Sequence, residues 1–97
     1  MTNETDILKQ AIESFGEGAQ VVKAAEEFAE LIVETMKFCA GAGNKEKLAE
    51  EIADAQIMID QLTDILVTKH GLDENAIDSY RRHKLERLER TLKGRIK

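Results

Sequence analysis

The chain has 97 residues, enough for one domain that buries roughly 60–70% of its unfolded surface, which excludes a two-domain enzyme. It is 42% hydrophobic and 34% charged and has no proline, a composition that excludes disordered and collagen-like chains and favours helices. The formal net charge of −5 is uneven, because residues 81–97 carry eight Lys and Arg against two acids, while residues 1–80 carry six against 17.

Four helices are predicted in chain order. Ile7, Leu8, Ala11, Ile12 and Phe15 recur at helical spacing, and Gly16 and Gly18 then break a short first helix. From Ala19 to Ala40, Val22, Ala25, Ala29, Ile32, Val33 and Met36 form one apolar stripe expected to face the core, with Leu31 and Phe38 lying off it. Gly41 and Gly43 mark a tight connection, and Asn44 is a good N-cap for a third helix. That helix presents Leu48, Ile52, Ala55, Ile59, Leu62 and Leu66 on one face and ends at Gly71. Asp73 is placed to cap a fourth helix bearing Ile77, Leu85, Leu88 and Leu92. The pattern predicts an all-α, up-and-down four-helix bundle occupying residues 1–97 as a single domain. Two helices so long in so short a chain cannot cover each other's apolar surface, so completion by homo-oligomerisation is expected.

The longest uncharged apolar run, residues 38–43, is far below the ~18 residues a bilayer requires, and no basic segment leads into an apolar one at the N-terminus. A cytoplasmic protein with no membrane partner is expected. Cys39, the one cysteine, is expected to pack on an apolar helix face. The acidic pI near 5.0 and the four aromatic residues Phe15, Phe28, Phe38 and Tyr80 speak against nucleic acid as a partner.

The carboxylates carry the chemistry. Glu26, Glu27, Glu30 and Glu34 form one acidic strip on the second helix, and Glu51 and Asp54 are an i, i+3 pair on the third, whereas Asp60 and Asp64 point elsewhere as ordinary solvated charges. Antiparallel packing through the Gly41–Gly43 turn would let Glu27, Glu30, Glu51 and Asp54 converge. Such an all-oxygen ligand set suits Mg²⁺, with Mn²⁺ as the substitute, and neither Glu27 nor Glu51 has the histidine three residues later that di-iron bundles use. The bland reading of the same strips is solvated helix surface.

The segment Glu26-Glu27-Phe28-Ala29-Glu30, followed by Glu51-Ile52-Ala53-Asp54, resembles the EExxE and ExxD signature of MazG-like nucleotide pyrophosphohydrolases, over roughly residues 20–93. The resemblance implies Mg²⁺-dependent hydrolysis of a nucleoside triphosphate to the monophosphate and pyrophosphate, by homodimers or homotetramers. It implies Glu27, Glu30, Glu51 and Asp54 as metal ligands, with Glu26, Glu27 and Glu30 in the catalytic set and Glu50 a weaker supporting candidate. The basic fourth helix would supply Lys84, Arg87 and Arg81 to the substrate phosphates. Relatives often carry an asparagine two positions before a lysine there, whereas Arg82 stands two before Lys84 in this chain. The alternative is a non-catalytic helical interaction or nucleotide-binding module, which would not need the four acids together.

Overall fold

In the computed structural model, residues 3–95 are described and 87% helical, with no strand among them, so the predicted all-α class is correct. Four helices follow one another: α1 (Glu4–Phe15), α2 (Glu17–Cys39), α3 (Lys45–His70) and α4 (Ala76–Arg95). No helix among the described residues is long and apolar enough to cross a membrane.

Local chemistry sets the boundaries. The Asn3 side chain accepts from the Asp6 N–H at the start of α1, and Asn44 accepts from both Glu46 and Lys47 at the start of α3, satisfying N–H groups that the first turn leaves unpaired. At the other end of α3, Gly71 takes the left-handed conformation (φ 72°), and the Leu72 N–H closes back onto the Leu66 carbonyl. The Asp73 side chain accepts from the Asn75 N–H just before α4.

α2 and α3 form an antiparallel hairpin, and α1 packs across both. Gly43 fixes the turn by donating to the Lys37 carbonyl, so close to α2 that an added Cβ would meet the Phe38 nitrogen at 2.7 Å and its Cα at 2.9 Å. Because those are backbone atoms, Gly43→Ala must push the hairpin apart. The expected loss is about 1–3 kcal/mol, read as a lower urea midpoint at an unchanged slope. At the open end of the hairpin His70 pairs with Glu17.

The hairpin buries other faces than the apolar pattern predicts. α2 turns Gln20 and Ala24 fully inward, with Glu27, Phe28, Leu31 and Glu34 half-buried, whereas the stripe expected in the core is open, with Val22 59%, Ile32 63% and Met36 63% exposed. On α3 the buried line is Glu51, Ala55, Met58, Gln61 and Ile65, and Ile52, Ile59 and Leu66 lie out on its flank. The turn is the physical reason. By docking on Lys37 and Phe38 it brings α3 against the side of α2 that carries Leu31 and Glu34, where Ala24 and Ala55 (1% and 3% exposed) allow close approach. Cys39 is also exposed rather than packed, and Phe15 and Phe38 lie largely open. Asp64, expected to be solvated, is half-buried where α3 meets α1.

α4 packs against none of α1, α2 and α3, and none of its residues is buried. The predicted helix is present, but within one chain it does not complete a bundle. The radius of gyration of 16.8 Å accordingly exceeds the ~12.5 Å of a compact chain of this length.

A candidate metal centre between α2 and α3

Antiparallel pairing places Glu27 of α2 opposite Glu51 and Asp54 of α3. One carboxylate oxygen from each lies within 4.8 Å of the others. The three differ in environment: Glu51 is buried at 3% exposure, Glu27 is half-buried and Asp54 is open to solvent. At an effective dielectric near 20, two such charges about 5 Å apart repel by roughly 3 kcal/mol, so the cluster requires positive charge nearby.

Part of that charge comes from lysines. Lys47 reaches Glu51 Oε1 at 3.0 Å, one turn away on α3, and Lys23 reaches Glu27 at 3.1 Å, one turn away on α2. Both ammonium groups are held above their ordinary pKa, first by the hydrogen bond to the paired glutamate and then by its charge. The acidic strip of α2 therefore has bases at its ends, since Lys37 also pairs with Glu34 at 3.4 Å. These lysines do not complete the site, because the second oxygen of Glu51, Oε2, is buried with no hydrogen-bond partner among the described residues. A buried, unpartnered carboxylate oxygen costs free energy unless something positive or a donor meets it.

Glu30, the fourth expected ligand, is exposed and lies outside the tight trio, but it borders the same charges. Its carboxyl is held above the ordinary range, first by Glu27 and then by Glu51. Asp54 is raised as well, chiefly by lost hydration and then by Glu27 and Glu51. Glu30 and Glu51 line a groove of about 340 Å³ together with Ala29, Val33, Glu34 and Lys47. Glu26 and Glu50 are exposed and are not part of the trio.

The raised acids give the metal-free protein a defined pH dependence. Between the ordinary carboxylate value and the raised one, folded Glu30 and Asp54 keep protons that the unfolded chain releases, so stability falls as pH rises through that window. Thermal unfolding in EDTA should show Glu30→Gln losing less stability than wild type as pH rises just above the ordinary carboxylate range. A Tm that rises equally in both proteins over this range would contradict the mutual repulsion.

The donor set is all carboxylate oxygen, with no cysteine or histidine in the cluster, and the unpartnered Glu51 Oε2 belongs to it. These residues fit a hard divalent cation such as Mg²⁺ or Mn²⁺ and do not fit zinc or copper. The basic residues expected to meet the phosphates are placed elsewhere. Lys84 and Arg87 share an open surface of α4 with Tyr80, His83 and Arg90, and Arg81 lies on the same helix, so one protomer does not bring them to its own carboxylates. Lys23, Lys47 and Gln61, a second buried side chain with an unpartnered oxygen, escaped the sequence reading. For the two lysines the signal was present as i, i+4 spacing to Glu27 and Glu51. We find no family model, curated protein or solved structure that matches the chain.

Proposed function

We propose that the protein is a Mg²⁺-dependent nucleoside triphosphate pyrophosphohydrolase of the MazG-like kind, converting an NTP or dNTP and water to the monophosphate and pyrophosphate. The observation that carries this reading is the buried, unpartnered Glu51 oxygen within a trio of carboxylates, in a sequence that resembles the EExxE and ExxD signature. Glu27, Glu51 and Asp54 would hold the cation, with Glu30 at its edge. A divalent ion bound there supplies charge neutralisation for the triphosphate and acidifies water.

The chain's own groups do the rest. Glu30, which lines the groove beside Glu51, would accept the proton of the attacking water. Glu26, one position before Glu27 and exposed, would serve as a supporting acid, as the resemblance implies. Lys47, beside Glu51 in the same groove, offers a point charge to a phosphate once cation binding frees it.

The test is to incubate the protein with canonical and modified NTPs and dNTPs and Mg²⁺, with and without EDTA, and to separate the products by chromatography. Monophosphate and pyrophosphate, lost with EDTA, are expected. The uncovered apolar stripe of α2 favours a second reading, a non-catalytic interaction or nucleotide-binding module. That reading gains if no nucleotide turns over while the protein is folded.

A further inference from the structure

Lys47 stands where its own helix does not favour it. It lies in the first turn of α3, next to the partial positive charge of the helix N-terminus, where acids are preferred to bases. Its ammonium nonetheless reaches Glu51 Oε1 at 3.0 Å, and that carboxylate is the one buried member of the trio. Lys23 makes the corresponding contact on α2, 3.1 Å from Glu27. Each helix thus contributes one ammonium to the three carboxylates, which leaves one formal negative charge uncompensated.

The two partners of the Lys47–Glu51 pair are unequally fixed. The glutamate side chain is 4% exposed and sits in the contact of α2 with α3, whereas the lysine side chain is 50% exposed and ends on a flexible four-carbon stem. An exposed lysine gains little from such a pair and leaves it easily, while Glu51 cannot leave without opening the hairpin. Glu51 Oε2, the oxygen that the ammonium does not take, is buried with no hydrogen-bond partner among the described residues. A divalent cation that takes Oε2 shares one carboxylate with Lys47, so dication and ammonium repel across a few ångströms, where salt screens little. The lysine has another place to go, because it lines the groove of about 340 Å³ in which Glu34 offers a second carboxylate.

We infer that Lys47 is a built-in counter-ion that competes with the divalent cation for Glu51 and so sets the cation concentration at which the site fills. The competition rests on the cation site proposed above and goes beyond it by giving the lysine an opposing part in that binding. In the cation-free protein Lys47 lowers the repulsion around Glu51; in the loaded protein its charge opposes the ion. One charge therefore acts with opposite sign on the stability of the metal-free fold and on cation affinity. A lysine that only held Glu51 in place would move both in the same direction.

Calorimetric titration of Mg²⁺ into the metal-free full chain tests this, with Lys47→Gln and Lys47→Arg compared with wild type and far-UV circular dichroism confirming that each is folded. Lys47→Gln is expected to unfold at a lower temperature in EDTA, yet to bind Mg²⁺ roughly tenfold more tightly than wild type. Lys47→Arg should bind Mg²⁺ more weakly than wild type, because a guanidinium can take both oxygens of a carboxylate at once. Affinity unchanged or lower in Lys47→Gln, with wild type binding, overturns the competition and leaves the cation site standing. No saturable binding to either wild type or Lys47→Gln overturns the site and the competition with it. Should Lys47→Gln not fold, Lys47→Arg decides alone, and binding at or above wild-type affinity overturns the competition.

Discussion

Glu51→Gln is expected to lower kcat/KM for nucleoside triphosphate hydrolysis by about 10³-fold or more, while Asp60→Asn leaves it unchanged. Glu51 is the only buried member of the carboxylate trio, and its Oε2 has no hydrogen-bond partner among the described residues, which suits it to a ligand. Gln keeps the shape and removes the charge. If the cation contributes several kcal/mol of transition-state stabilisation, weakening its anchor costs three powers of ten at 1.36 kcal/mol each. Asp60 lies on the same helix but faces α1 across another groove, which makes it a control for charge on α3 in general. Steady-state rates on the best nucleotide, with matched far-UV circular dichroism, check the prediction. A Glu51→Gln protein retaining more than a tenth of the activity would place the reaction elsewhere.

The second large effect concerns stability, and its sign depends on the cation. In EDTA, Glu51→Met should unfold at a higher temperature than wild type. The substitution removes a buried charge whose second oxygen is unpartnered and relieves the repulsion from Glu27, and it releases only a Lys47 that is already half exposed. Replacing buried ionic groups by apolar ones of similar volume is often stabilising, and here a gain of about 1–2 kcal/mol corresponds to roughly 5–15 °C in a chain of this size. Saturating Mg²⁺ should reverse the order, because a cation at 100 times its Kd stabilises wild type by about 2.7 kcal/mol and finds no complete site in the variant. Differential scanning calorimetry of both proteins, with and without Mg²⁺, reads all four values. Equal Mg²⁺ shifts in the two proteins would separate the cation from Glu51.

The helices and their ends were legible because they rest on local chemistry. Asn44 caps α3 through two backbone N–H groups, Gly71 ends it in a left-handed conformation, and a turn does run through Gly43. The convergence of Glu27 with Glu51 and Asp54 was legible too, since antiparallel pairing about a short turn brings those positions level. Which face of α2 turns inward was not. Apolar periodicity favours the stripe through Val22, Ile32 and Met36, yet the packed face holds Gln20, Ala24 and Glu27 because the contact of Gly43 with Phe38 sets the rotation of the hairpin. Periodicity reports that a face is apolar; it does not report whether its own chain or another covers it. The same holds for the leucines of α4. Glu30 and Glu26 illustrate the limit at the site, where helical spacing puts them in one strip with Glu27 but does not resolve a distance of a few ångströms between members of the trio and their neighbours.

The claim that the carboxylates between α2 and α3 form a cation site is tested most directly by calorimetric titration of Mg²⁺ into the metal-free protein, repeated with Glu51→Gln, Glu27→Gln and Asp60→Asn. Saturable binding to wild type and to Asp60→Asn, lost or strongly weakened in the two glutamine variants, is the predicted result. No saturable binding to the folded wild-type protein, or binding undiminished in Glu51→Gln, would contradict it.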